Sequence, residues 1–389
     1  MKEILIKNIE SIEKEVINWR RHLHRNPELS NDEKNTSEFI INILEQLQIK
    51  YEKQKDNYGI IAKISGKNPG KKIAFRADMD ALPVTEENDI LYKSEKNGVM
   101  HACGHDAHMA ILLGTAKILK SFEDSIKGEI LLVFQPAEED SPNGGAKRII
   151  ASKALDEVDR IYGLHVWPEA EVGKIVLKDS ACMAASDHFY IDITGKASHA
   201  AEPNKGIDAL VAAANWIVAA QAIISREVSP MENIVFTIGT MNAGVRYNVV
   251  AENVKIEGTC RTFNPAIRDF IERRLNESLN AIDNFFGTKS SLDYQRGYCS
   301  LINDSESVSF AKEVGDKYIG KEFIIEAKEP SMCAEDFAFY LNDYKGAFFW
   351  LGTGYEGCAA LHNSKFNIDE TILKKGILLF SSLALEFLK

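Results

Sequence analysis

Three short apolar runs, each leading into residues able to do chemistry, constrain this chain most. Residues 73–75 lead to Asp78 and Asp80, residues 130–134 to Gln135-Pro136-Ala137-Glu138-Glu139, and residues 161–164 to His165. Runs of that length, set between segments of helical periodicity, predict strands in a largely covered sheet, hence an α/β domain. Ile9, Ile12, Val16, Trp19 and Leu23 recur every three or four residues and mark one helix. Residues 39–47 and 109–119 suggest others. In open α/β sheets ligands gather beyond the carboxyl ends of strands, where these polar residues fall.

From about Met183 the order changes. Residues 189–193 read as a strand, 207–225 as a helix, 234–238 and 254–260 as strands, 265–285 as a helix and 290–295 as a strand. This β-α-β-β-α-β order is that of a ferredoxin-like α+β domain. It divides the chain into a first part of one domain (1–182), an inserted domain (183–298) and a second part of the first domain (299–389).

Charge narrows the function classes. A net charge of -11, spread along the chain, argues against general nucleic-acid binding, which needs a basic face. No stretch approaches about 18 uninterrupted apolar residues, so no membrane span is expected. The N-terminal MKEILIKNIESIEKEVINW lacks the features of a secretory signal, and a cytoplasmic address is expected. The six cysteines then read as free thiols, with one or two possible ligands, rather than a disulfide framework.

The segment MHACGHDAHM packs His101, Cys103, His105, Asp106 and His108 into eight positions. Thiolate and imidazole suit zinc, and manganese, cobalt or nickel with more carboxylate. Glu138 and Glu139 after a strand would repel each other unless a cation is present, so that one binds metal while the other takes a proton from water. Asp78, Asp80, His165 and His362 are further candidates. His22 and His24 are assigned helix-capping and packing duties near Pro27, and Trp167 and Trp350 core packing.

The motifs WRRHLHRNPELS, FRADMDALPV, MHACGHDAH, QPAEE, GLHVWP, ASHAAEPNKGIDAL, NVVAENVKIEGTCRT, AEDFAFY and LHNSKFNIDE succeed one another along essentially the whole chain. In these the chain resembles the aminoacylase and carboxypeptidase family of co-catalytic metallohydrolases. The resemblance is narrowest to the amidohydrolase subgroup of hippurate hydrolases, auxin-conjugate hydrolases and N-acyl amino acid amidohydrolases. It implies a mixed-sheet catalytic domain with an inserted lid and dimerisation domain, two divalent metal ions, and an N-acyl amino acid as substrate. It implies Cys103, His105, Glu139, His165 and His362 as ligands and Glu138 as general base. Arg76 departs from the broader family, standing where most relatives have a histidine ligand. Cys103 is then expected to replace that ligand and bridge the metals, in preference to His105, with Asp78 orienting a ligand. His199 is expected to reach the active site of a partner subunit in a homodimer, and Asn248 and Arg261 to hold the substrate carboxylate. The alternative for Arg261 is a cross-strand salt bridge. A carboxypeptidase or dipeptidase of the same fold, and a non-catalytic metal-binding protein, are the rival readings.

Overall fold

A computed structural model describes all 389 residues. The chain forms two compact units, Met1–Cys182 with Ile302–Glu329 and Asp336–Lys389, and Met183–Leu301 with Pro330–Glu335.

The first unit is built on an eight-stranded sheet. Its early strands are β1 (Lys50–Lys53), β2 (Ile60–Ser65), β3 (Asn68–Asp78), β4 (Lys127–Gln135), β5 (Arg160–Glu171) and β6 (Ile175–Leu177). The sheet order is β1-β2-β4-β3-β5, then the strand Gly346–Gly354, then β6, then Ile324–Glu326. β4, β3, β5 and Gly346–Gly354 run parallel, so their carboxyl ends lie on one side. Ile130, Leu132 and Phe134 of β4 face one core and Leu131 and Val133 are buried on the opposite side, so both faces are covered. This is why these strands read as continuous apolar runs.

Helices α1 (Lys2–Arg25), α2 (Lys34–Gln46) and α3 (His105–Lys120) and the C-terminal helix Ile372–Phe387 contribute to that core. The stripe of α1 buries Leu5, Ile9, Ile12 and Val16, and Arg20 comes four residues on, carried into the interior by the same periodicity. α3 begins at His105, four residues before the expected 109, because its first turn is polar yet buried. Gly104 turns the chain into it with φ 88°. A Cβ there would come within 2.4 Å of Val166 Cγ2, so the turn needs glycine.

The second unit holds a four-stranded sheet in the order Lys289–Arg296, Ala185–Thr194, Asn253–Thr262, Val235–Ala243, every neighbour antiparallel. Helices Ala209–Ala222 and Pro265–Phe286 cover one face, over a core including Phe189, Ile191, Trp216, Ile256 and Leu275. The stretch Ala209–Glu227 is long and apolar enough to cross a membrane by length and composition. Asn215 and Gln221 interrupt it, so it does not stand out as an unbroken apolar run. Here Ala209, Ala212, Ala213, Trp216 and Ala220 are buried in the core of the unit.

Candidate metal centre

The site lies past the carboxyl ends of the parallel strands of the first unit. β5 carries His165, the loop after β4 carries Glu138 and Glu139, the start of α3 carries His105, and the loop after Gly346–Gly354 carries His362. Cys103 sits among them. Its Sγ is 3.2 Å from His165 Nε2 and 3.3 Å from His362 Nε2. His362 Nε2 is also 3.3 Å from Glu139 Oε1. Donor atoms of Cys103, His105 and His165, of Cys103, Glu139 and His362, and of His105, Glu138 and Glu139 each fall within 4.8 Å of one another.

The hydrogen bonds fix which atoms face inward. His165 Nδ1 donates to Val166 O at 2.6 Å, which turns its Nε2 lone pair towards Cys103. His105 Nδ1 donates to Asp80 O at 2.9 Å, leaving Nε2 buried without a hydrogen-bond partner. Glu139 Oε1 is likewise buried and makes no hydrogen bond. His108 is different, because both ring nitrogens are used. Nδ1 donates to Asp78 Oδ1 at 2.6 Å and Nε2 accepts from Val166 N at 2.9 Å, so it braces the strand that carries His165.

The electrostatics ask for positive charge. Burial would lower the pKa of His105, but Asp78, Asp80 and Glu139 push it up to about 10. Burial, with Glu139, Glu138 and Asp78, pushes the Cys103 thiol well above its ordinary value. A divalent cation reverses that logic, replacing the proton on His105 and favouring the Cys103 thiolate. The donor set of one thiolate, three imidazoles and a carboxylate, with two orphaned buried atoms, therefore fits borderline-soft divalent cations.

Asp78 is held from behind. Burial would raise its pKa, but His105, His108 and Arg76 keep it well below the usual carboxylate range. Arg76, itself buried, donates Nη1 to Asp78 Oδ2 at 2.7 Å, Nη2 to Asp336 Oδ1 at 2.6 Å and Nε to Gln135 Oε1 at 3.0 Å. Gln135 Nε2 and Ala146 N also donate to Asp336. Asp336 belongs to AEDFAFY, but the sequence alone assigned it no role.

A second buried network fixes the start of α3. His24 Nδ1 lies 2.7 Å from Asp106 Oδ2 and Nε2 lies 3.1 Å from Glu86 Oε1, with Arg20 Nε 2.8 Å from Asp106. Burial and Arg20 lower the His24 pKa, yet the two carboxylates raise it overall. The capping and packing duty expected near Pro27 is thus corrected for His24. It is a fully buried bridge between two acids, recognisable in retrospect from Val16, Arg20 and His24 at successive steps of four. His22 stacks on Phe39 at 4.1 Å, as packing requires. Trp167 and Trp350 stack on each other at 5.0 Å, with Trp350 buried.

His199, Asn248 and Arg261 belong to the second unit. His199 and Val249 pair as an isolated bridge and Ala200 N donates to Asn248 O, which brings the His199 and Asn248 segments together. His199 Nδ1 accepts from Ala201 N at 3.1 Å, so the neutral ring carries its proton on Nε2. Asn248 Oδ1 is buried without a hydrogen-bond partner. Arg261 lies on the sheet face opposite Cys260, which is buried in the core beneath the helices.

Residues 74–386 match the peptidase family M20/M25/M40. An N-acetyl-L-cysteine deacetylase of Bacillus subtilis is 40% identical over 376 residues, 96% of this chain and 89% of that protein. The thermostable carboxypeptidase 2 of Saccharolobus solfataricus is 35% identical over 390 residues, 99% of this chain and 98% of that protein. The crystal structure of a Bacillus subtilis dinuclear metal-binding peptidase of the M20 family superposes with a TM-score of 0.86 at 33% identity, covering 97% of this chain and 99% of that one.

Proposed function

This chain belongs to peptidase family M20/M25/M40, and on that premise we propose that it hydrolyses the amide bond of N-acyl amino acids, releasing a carboxylic acid and an amino acid. The observation that carries the reading is the convergence of the Cys103, His165, His362 and Glu139 donors, with the orphaned His105 Nε2 beside them. We assign Cys103, His105, Glu139, His165 and His362 as the residues that would hold two divalent cations of zinc, manganese, cobalt or nickel. Such ions supply Lewis-acid polarisation of the scissile carbonyl and acidify a water.

Cys103 would be the ligand able to serve both ions, because a thiolate has several lone pairs to share and an imidazole nitrogen has one. Asp78 orients His108, and through Val166 N it steadies His165. Glu138 takes the proton of the attacking water and returns it to the leaving amine. His199 stabilises the oxyanion with a hydrogen bond from its Nε2–H. Arg261 and Asn248 hold the substrate carboxylate, Arg261 through the planar fork suited to that group.

We further propose that residues 183–298 form a ferredoxin-like lid and dimerisation domain. In a homodimer, His199 would serve the partner's site. An open edge strand at Val235–Ala243 and the exposed side chains of Leu210, Val211, Val218 and Met241 support this. The cysteines, none in a disulfide, fit a cytoplasmic address.

Glu138→Gln tests the reading. It keeps the shape and removes the base, so turnover of N-acetyl or N-benzoyl amino acids should fall by roughly two to four orders of magnitude with metal content unchanged. Loss of metal in Glu138→Gln and its retention in Glu139→Gln would reverse the two roles. The similarity to a carboxypeptidase favours a second reading, a carboxypeptidase or dipeptidase. A panel pairing each N-acyl amino acid with the matching dipeptide separates the two by relative kcat/KM.

A further inference from the structure

The amides on either side of Glu138 are each held by a buried carboxyl group. Glu33 Oε1 accepts from Ala137 N at 2.8 Å, and Asp80 Oδ2 accepts from Glu139 N at 2.9 Å. Between these two grips the backbone is strained. Ala137 is wholly buried and takes φ 56°, a left-handed conformation costing a residue with a Cβ about 1–2 kcal/mol. Such a conformation persists only where the surroundings over-determine it. Here Gly145 N donates to Ala137 O at 3.0 Å while Glu33 takes the Ala137 N–H, so Ala137 is held through both its backbone polar groups. The turn they fix sets the direction in which Glu138 leaves the end of β4.

Asp80 has other work, accepting from the Ser30 hydroxyl at 2.7 Å and lying 3.3 Å from His105 Nδ1. Glu33 does not share that work. It stands at the start of α2, but its side chain does not cap that helix. Glu28 takes up the Thr36 amide and hydroxyl there instead, at 2.8 and 3.0 Å. The second oxygen of Glu33 is buried without a hydrogen-bond partner. Burial, reinforced by Asp80, pushes the carboxyl up to about 7. A buried carboxyl group half without partners is costly, and its other oxygen is committed to the amide beside Glu138.

We propose that Glu33 is a positioning residue for the general base: as a hydrogen-bond acceptor for the Ala137 amide it sets the direction of Glu138. The inference rests on Glu138 being the base, and it requires an acceptor at that point rather than a charge.

Two substitutions in the metal-loaded enzyme separate acceptor from charge. Glu33→Gln keeps a carbonyl oxygen of the same reach, whereas Glu33→Met fills similar space without an acceptor. Glu33→Met should lower kcat by about 10- to 100-fold, the scale of a roughly 1 Å misplacement, with KM changed less than about threefold. Glu33→Gln should keep kcat within about threefold of wild type. Hydrogen exchange gives a readout independent of turnover. The Ala137 amide should exchange at least about tenfold faster in Glu33→Met and at the wild-type rate in Glu33→Gln, with the amides of α2 unchanged in both.

A Glu33→Gln enzyme as slow as Glu33→Met, or Ala137 exchange unaltered in Glu33→Met, overturns the proposal. If Glu33→Met does not fold, Glu33→Gln decides alone: wild-type kcat and exchange support the acceptor role, and loss of either overturns it. A wild-type enzyme that turns over no N-acyl amino acid refutes the proposed function instead, while the exchange comparison still reports on the Ala137 amide.

Discussion

Arg76→Met removes a charge from the interior while keeping most of the volume of the side chain. It leaves Asp78 and Asp336, both fully buried, without their shared guanidinium. Breaking a buried pair from one side typically costs about 3–5 kcal/mol. The structure sets a ceiling on the part due to Asp336. That carboxylate can escape by taking a proton, and since burial already raises its pKa above the ordinary 3.8, doing so at pH 7 costs less than about 4 kcal/mol, at 1.36 kcal/mol per pH unit. Asp78 keeps its bond from His108, and Asp336 keeps those from Gln135 and Ala146. The expected loss is therefore about 3–4 kcal/mol at pH 7. It should shrink by up to about 1.4 kcal/mol for each unit the pH is lowered towards 5. Urea unfolding of the chelated protein, followed by tryptophan fluorescence in a Trp216→Phe background, isolates the first unit, which holds Trp19, Trp167 and Trp350. A loss below about 1 kcal/mol at pH 7, or one equally large at pH 5, would show that Arg76 is not the counter-charge argued here.

The other predictions concern the ligands, the substrate, the pH dependence and the assembly. Cys103→Ser should bind at least one metal equivalent more weakly, since a hydroxyl is a far poorer ligand than a thiolate; elemental analysis showing full metal content after dialysis would contradict this. Arg261→Ala should raise KM for N-acyl amino acids more than for their carboxamides, and equal penalties would point to a purely structural arginine. In the metal-free protein the Glu33 carboxyl has its pKa raised from 4.5 to about 7, so the stability it contributes is full below pH 4.5 and lost as pH rises through about 7. Glu33→Gln should therefore gain on wild type by roughly 3 kcal/mol between pH 4.5 and pH 8, and parallel urea midpoints over that range would refute the assignment. Co-refolding His199→Ala chains with Glu138→Gln chains should restore a substantial part of the activity if His199 acts in trans, and background activity would place it within its own chain.

How much was legible in the sequence depended on the range of the interaction. The parallel strands could be read because sheets covered on both faces demand unbroken apolar runs, and the polar residues at the end of each run were then candidates for the site. β5 extends to Glu171, well past the apolar run that ended at residue 164, because its far half pairs with Gly346–Gly354, which local periodicity does not report. The residues around Cys103 were visible as an unusual concentration of ligand types. Glu33, Arg20, Asp336 and the bridging role of His24 were not. Each is an ordinary polar residue until its partner is known, and the partners of Glu33 and Asp336 lie 104 and 260 residues away.

The closing of α1 against the C-terminal helix Ile372–Phe387 has a consequence for synthesis. α1 is made before the rest of this unit and the helix Ile372–Phe387 after it. Until residue 362 and the helix after it are made, the apolar stripe of α1 lacks one of its covers and the cysteine-centred cluster lacks its last imidazole. The segment forming the four-stranded sheet, by contrast, is one continuous stretch that can fold during translation as soon as residue 296 has emerged. A half-made chain thus carries a finished insert on an unfinished hydrolase. Until it is complete, the nascent first unit exposes apolar surface that its own later segment will cover, the condition under which chains aggregate.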